Sequence, residues 1–270
     1  MGAALEVLTG SATAPSSTLT ALTMATGNSL TIRNTNQNSM IKLLATWAFN
    51  TGAGVFRVRS PRMHDNVQGL RQRVDAADPR PILPRQSFAQ RFYPQDTLTA
   101  ELSGSATAGK IEQASMLVYY GDLGGINGRF ITDGQVAQSG VNIIGQETQH
   151  SPGSSGGYSG QVAINANFDN FKANVDYAIV GYRVDANCCT VRIQGADLGN
   201  LGLGGPGPAA CPEVTSEWFL KLSAWYGLPL VPVVNAANKG GILVDVAQNE
   251  AGGAVNITWF LVELASGALR

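Results

Sequence analysis

Charge is scarce in this sequence: Asp, Glu, Lys and Arg make up 14% of the 270 residues, against about a quarter of an average globular chain. The 18 basic and 19 acidic residues leave a formal charge of −1, which excludes a polybasic binder of nucleic acid or membrane acting through its overall field. Cysteine is nearly missing, and Cys188, Cys189 and Cys211 are too few and odd in number for a disulfide framework. Cys188 and Cys189 are neighbours that point to opposite faces of any strand they join, so they read as small buried hydrophobes. His64 and His150 are the two histidines, which leaves little room for a metal centre built on imidazoles, and no metal or cofactor is expected. No apolar run approaches the 18 residues that span a bilayer, the best stretch, Ile257 to Val262, being of strand length. Glu6 sits in a weakly apolar start with no basic segment ahead of a long apolar run, so a cleaved signal peptide is not expected. The same Glu6 stands where myristoylation of Gly2 would call for Ser or Thr.

Hydrophobic residues, by contrast, reach 44%, and there are 32 glycines and 12 prolines. That is the composition of a folded, turn-rich β protein rather than a disordered one. Residues 1–27 are rich in Ala, Ser, Thr and Gly and read as an extended, thinly packed arm. From Asn28 onward, short runs of β-branched and aromatic residues are each closed by Gly, Pro, Asn or Asp. The predicted strands are Ser29 to Arg33, Ile41 to Phe49, Gly54 to Arg59, Thr97 to Leu102 and Glu112 to Tyr120. Ser216 to Tyr226 fits either one short helix or a strand.

The second half of the chain repeats the pattern of the first. At an offset of 135, Ala45 to Ser60 lies on Val180 to Gly195 without a gap, so that Trp47 meets Tyr182 and Phe56-Arg57-Val58 meets Val191-Arg192-Ile193. At an offset of 144, Leu98 to Leu102 lies on Ile242 to Val246, Glu101 meets Asp245, and Ile111 to Val118 lies on Val255 to Val262. Repeats of this length with several short strands imply an all-β chain of two tandem jelly-roll sandwiches. The expected division is an arm at 1–27, a first jelly roll at 28–123, a linker at 124–157, a second jelly roll at 158–265 and a tail at 266–270. Within the linker, Ser151 to Gly157 is the flexible point and Val141 to Ile144 a short element. Trp47 and Trp259 should be core residues.

Motifs that suggest chemistry are weak in context. Gly153-Ser154-Ser155-Gly156-Gly157, with His150 nearby, has the spacing of a nucleophile elbow, but Pro and Gly flank it where a strand and a helix are needed. Gly202 to Gly207 fits the dinucleotide fingerprint by letter, yet Pro206 and the missing βαβ frame leave it a long inter-strand loop. Asn165 to Asp169 resembles the start of a calcium loop without its Gly and Glu, and Asn256-Ile257-Thr258 is a glycosylation sequon inside a predicted strand. No paired carboxylates stand out. No catalytic, cofactor-binding or metal-binding residue is therefore assigned, and no enzymatic activity is expected.

One charge feature remains. Arg57, Arg59, Arg62, Arg71, Arg73, Arg80, Arg85 and Arg91 are opposed within their stretch by Asp65, Asp75 and Asp78 alone, and residues 1–135 hold 12 basic against 9 acidic residues where 136–270 hold 6 against 10. The arginines suit either phosphate, on packaged nucleic acid or lipid headgroups, or ion pairs to the acidic half of a neighbouring subunit.

The duplicated sandwich, the short N-terminal arm, the Gly-rich loops and the lack of catalytic clusters resemble a double jelly-roll major capsid protein of a tailless icosahedral bacteriophage, a family in which some members enclose a lipid membrane. That resemblance covers residues 28–265. It implies a homotrimer with a pseudo-hexagonal outline, built from six similar sandwiches, that packs against neighbouring trimers and against penton or minor capsid proteins in an icosahedral shell. It also implies location in the virion after synthesis in host cytoplasm, with the 1–27 arm or the Arg57–Arg91 stretch facing viral membrane or packaged genome. A minor vertex or spike protein would share the fold. A glycan-binding protein or glycan-acting enzyme on tandem jelly rolls is the alternative, with Trp218, Trp225 and Tyr226 beside Glu213 and Glu217 as its stacking platform and carboxylates.

Overall fold

A computed structural model describes residues 3–13, 18–24, 30–35, 40–50, 52–63, 65–74, 90–104, 111–123, 126–151, 156–209, 211–248 and 253–268. The first half contributes β1 (Ala4–Thr13), β2 (Thr20–Ala21), β3 (Thr23–Met24), β4 (Ile41–Phe49), β5 (Gly54–Arg59), β6 (Leu70–Val74), β7 (Thr99–Ser103) and β8 (Ile111–Tyr120). After β9 (Phe130–Ile131) and helix α1 (Asp133–Ser139) come β10 (Gly140–His150), β11 (Val162–Ala163), β12 (Asp176–Val184), β13 (Cys188–Gln194) and β14 (Leu203–Gly207). Helices α2 (Pro212–Thr215) and α3 (Trp218–Tyr226) then lead to β15 (Val231–Asn235), β16 (Leu243–Ala247) and β17 (Val255–Leu264).

In the second half, eight antiparallel strands form two sheets, ordered β10-β17-β12-β15 and β11-β16-β13-β14, with β9 added outside β15. First beside last and second beside seventh is the jelly-roll wrap. The first half repeats it, with sheets β1-β8-β4 and β2-β7-β5-β6 and with β3 added outside β1. Its sixth strand is reduced to residues 90–92, where Arg91 bridges Lys42, Leu43 N–H donates to Gln90 O and Phe92 N–H to Ile41 O. The chain is a double jelly roll made by internal duplication.

Strand limits repeat at the offsets seen in the sequence, but the faces do not all follow. Arg57 stands opposite Glu101 as Arg192 stands opposite Asp245, so offsets of 135 and 144 hold in the β5–β7 and β13–β16 pairs. In the other sheet the β-bulge after Leu43 corresponds to the bulge after Ile179, and Thr46 opposite Met116 corresponds to Tyr182 opposite Trp259. The offsets there are therefore 136 and 143, and a slip of one residue exchanges the two faces of a strand. Trp47 matches Arg183, not Tyr182. Both expected core tryptophans are buried, but Trp259 lies against Tyr182 inside the second sandwich, with ring centroids 5.2 Å apart, whereas Trp47 points out of the first sandwich into the second.

The arm and the linker need correction. Residues 4–13, expected to pack thinly, form β1, which pairs with all ten residues of β8 and is buried from Ala4 to Gly10. Residues 140–150, expected in the linker, form β10 and pair with β17 along its length. These are the opening strands of the two sandwiches, so each jelly roll begins earlier than its composition suggested. Their Ala, Gly, Ser, Gln and Asn content is low in β propensity, and the ladder formed with an apolar partner strand overrides it. Gly202–Gly207 is likewise not all loop, since Leu203–Gly207 is β14. A Cβ on Gly205 would sit 2.5 Å from Trp218 Nε1 and Tyr182 Oη, so glycine lets two large rings lie directly on this strand, and β14 is an edge strand, where Pro206 costs no central ladder bond. Ser216–Tyr226 resolves to a helix over Trp218–Tyr226. Ser29–Arg33 forms no strand in its described part, where Thr31 makes a single bridge to Thr97.

Candidate functional site

A buried polar constellation lies at the seam between the two jelly rolls. Thr9, Ser115 and Trp47 project from the outer face of the β1-β8-β4 sheet, and Thr190 projects from the outer face of β13, opposite to Val191 and Ile193. Thr9 Oγ1 lies 2.7 Å from both Ser115 Oγ and Tyr158 Oη, Ser115 Oγ lies 2.6 Å from Thr190 Oγ1, and Trp47 Nε1–H donates to that same oxygen at 3.0 Å. Tyr226 O–H donates to the Leu44 carbonyl across the seam, and Trp47 meets Trp218 edge to face at 6.2 Å. Val7 N–H donates to Gly202 O at 2.8 Å. Leu5, Trp47 and Leu117 of the first half thus share one apolar cluster with Trp218, Leu198 and Leu203 of the second.

Beside this chain of hydroxyls stands the Arg192–Asp245 pair, bidentate at 2.8 and 2.5 Å, with the guanidinium 3.7 Å from the Tyr158 ring centroid. Its counterpart in the first half joins Arg57 to Glu101 at 2.5 and 2.8 Å, and Arg59 adds a further contact at 3.1 Å. Burial alone would raise the Glu101 carboxyl, but hydrogen bonds from Arg57 and Arg59 outweigh it and hold its pKa below the usual carboxylate value. A third buried carboxylate, Glu6, accepts from Arg33 at 2.6 to 3.0 Å and from Tyr120 O–H at 3.0 Å. It lines an open cleft of about 450 Å³ with Leu8, Ile32 and Gln95.

Burial keeps the thiols and the phenol at and beside the seam in their neutral forms. Burial pushes the Cys189 thiol up to about 11 and the Cys188 thiol and Tyr158 phenol higher still, so no thiolate is present near neutral pH. His150 is buried with Nε2 2.9 Å from Thr148 Oγ1, and burial lowers its pKa. The three cysteines are free and buried, as expected of small hydrophobes. Ser154 and Ser155 of the elbow-like segment lie outside the described residues. Among the described residues no three His, Cys, Asp or Glu side chains gather as a metal site, and Asp169 of the calcium-like stretch is engaged by Lys239. No helix among them is long and apolar enough to cross a membrane.

The proposed aromatic platform is dispersed by helix α3: Trp218 and Tyr226 are buried, and Trp225 alone of the three is exposed. Glu217 is paired with Lys221 at 3.5 Å. The arginine stretch divides as well. Arg57 and Arg59 clasp Glu101, Arg62 donates to Pro94 O at 3.1 Å and Arg71 to Gln68 Oε1 at 3.2 Å. Arg91 stacks on Tyr93 at 5.6 Å, Arg73 is exposed, and Arg80 and Arg85 lie outside the described residues. The 1–27 segment cannot serve whole as a free arm toward membrane or genome, because Ala4–Thr13 is committed to a sheet. Sequence reasoning missed Thr9, Ser115, Thr190 and Tyr158, since isolated Ser and Thr in apolar strands carry no signal until their partners across the seam are known.

No protein-family model matches this chain, and no curated protein matches it. Among solved structures it is similar to the PBSX exported protein XepA, with 9% identity, a TM-score of 0.27 and coverage of 96% of this chain and 86% of the other. It is also similar to the major capsid protein P2 from bacteriophage PM2, at 8% identity and a TM-score of 0.25, covering 98% of this chain and 99% of that one. The STIV MCP shares 9% identity with a TM-score of 0.23, covering 98% and 97%.

Proposed function

We propose that this chain is a structural virion protein, a major capsid protein that assembles through pseudo-hexagonal homotrimers into an icosahedral shell and has no enzymatic activity. The observation that carries this reading is the kind of contact joining the two halves. The outer face of the β1-β8-β4 sheet in the first jelly roll packs on the outer face of the β13-containing sheet in the second. Unlike surfaces meet, so the contact is head to tail, and such contacts close into rings when their rotation divides a full turn. Two sandwiches per chain and three chains make a ring of six similar units, a shape that tiles a facet. Low charge supports the same reading, because obligate interfaces are charge-depleted at their centres, and 14% charged residues suit a chain with much surface to hide. Burial raises the Cys188 and Cys189 thiols and lowers the His150 imidazole, which leaves no activated nucleophile among these three groups.

Light scattering on purified protein, with negative-stain images of the same fractions, tests the proposal. A homogeneous species near three times 28.3 kDa, with hexagonal outlines or larger shells, is expected. A monodisperse monomer that never assembles would overturn it.

A further inference from the structure

The large hydrophobic side chains left exposed among the described residues include Val141 and Ile143 on β10 and Val67 in the β5–β6 loop, at 65%, 61% and 67% exposure. The counterparts of the two β10 residues in the other half are buried. Leu5 stands opposite Tyr119 as Ile143 stands opposite Val262, so Leu5 corresponds to Ile143, and Ala3 and Val141 each lie two residues earlier. Ala3 and Leu5 are 7% and 0% exposed because they pack against the second half, in one cluster with Leu198 and Leu203. The surface they meet is the β13–β14 hairpin loop, whose Gly202 O accepts from Val7 and whose Leu201, 3% exposed, enters the apolar core of the first sandwich.

That loop corresponds to the β5–β6 loop, since Ile193 opposite Leu203 closes one hairpin as Val58 opposite Leu70 closes the other. Val67 sits in that loop three residues before Leu70, and Leu201 two residues before Leu203 in the shorter sister loop, so the two are alike in place within the loop and not in register. Each half therefore exposes an apolar residue or pair on the element whose sister element is buried at the junction inside the chain. The second sandwich offers the strand with no loop against it, and the first offers the loop with no strand beneath it.

We infer that Val141 and Ile143 on β10 of one copy dock against the β5–β6 loop of a second copy, with Val67 inserted, repeating between chains the contact that Ala3 and Leu5 make with the β13–β14 loop within the chain. This assignment rests on the trimer proposed above and names its interface. A head-to-tail contact repeated in this way uses both surfaces of every copy and leaves none over in a closed ring. Charge favours the same partner: the half carrying the loop has 12 basic against 9 acidic residues, and the half carrying the strand has 6 against 10. On β10 itself Glu147, exposed, stands where β1 has Thr9.

The test uses the full chain. Val141→Asp with Ile143→Asp, and separately Val67→Asp, should each abolish the trimer at concentrations where the parent chain is trimeric, while thermal midpoint and near-ultraviolet circular dichroism of the monomer report an intact fold. In a second arm, Ile143→Cys combined with Val67→Cys should form covalent trimers on oxidation, whereas either single variant should not. The native cysteines are buried and do not compete. A parent chain that is trimeric, with variants that remain trimeric and a cysteine pair that does not cross-link, would overturn the interface and leave the capsid proposal standing. A monomeric parent would overturn both.

Discussion

The outer face of the β1-β8-β4 sheet and the outer face of its second-half counterpart descend from one repeated pattern and meet different surroundings. In the first, Trp47 and Ser115 stand opposite each other and bond to Thr190 across the seam. In the second, the same two ladder positions hold Arg183, which is exposed, and Thr258. Position for position, the copy that meets the sister sandwich carries a buried indole and small hydroxyls bonded across the seam, and the copy that does not carries an exposed cation. The seam is thus part of the core: a buried hydroxyl is tolerated when it has a partner, and Thr9, Ser115 and Thr190 each have one from the other half.

The largest effect is expected inside the second sandwich. Trp259→Ala removes a fully buried ring from a cluster that also holds Tyr182 and is expected to cost about 3 to 5 kcal/mol. An unchanged urea midpoint would count against Trp259 as core. The duplicated ion pairs come next. Asp245→Ala leaves Arg192 uncompensated in a mostly buried site and should cost about 3 kcal/mol, as removal of one partner of a buried pair does. Glu101→Ala should cost less, about 1 to 2 kcal/mol, because Arg59 at 38% exposure is hydrated without it. Equal losses in chemical denaturation would show that the Tyr158 stacking and the deeper burial of Asp245 are without consequence.

A pH series sharpens the same pair. The Glu101 pKa is depressed in the folded chain, so its contribution to stability is complete above the unfolded carboxylate value of about 4.3 and is lost as pH falls through the lower folded value. The stability gap between the parent chain and Glu101→Gln should therefore narrow on acidification from about pH 6 to pH 3, measured by urea midpoints at each pH. A gap that stays constant would remove the ionised pair from the account. The smallest effect belongs to Trp47→Phe, which keeps most of the ring packing and deletes one hydrogen bond to Thr190, still bonded to Ser115. About 1 kcal/mol is expected, and a loss above the Trp259→Ala value would mean that the seam, and not the sandwich interior, limits stability.

How legible the fold was depended on burial. Strand β5 alternates Phe56 and Val58 inward with Arg57 and Arg59 outward, so its match to β13 was aligned without error from the sequence, whereas the pairing of Arg57 with Glu101 was seen only in the structure. Strands β4, β8, β12 and β17 carry apolar residues on both faces over much of their length, because one face lines a sandwich and the other meets the seam or a helix. Their periodicity of two then carries little weight, and an alignment slipped by one residue looks as good as the correct one. Strands β1 and β10 were harder still, since Ala, Gly, Ser and Gln signal a linker until the apolar strand that pairs with them is known.

Residue pattern was enough for the all-β class, the duplication, the limits of most long strands, and the match of Arg57 to Arg192 and of Glu101 to Asp245, because each is a pattern of residue types along one chain. Which face of Trp47 looks outward, that the arm and the linker open the two sandwiches, and that Thr9, Ser115, Thr190 and Tyr158 form one bonded chain were decided by tertiary structure alone. Those features depend on what lies opposite a residue in space. A strand with both faces covered does not write its partner into its own alternation.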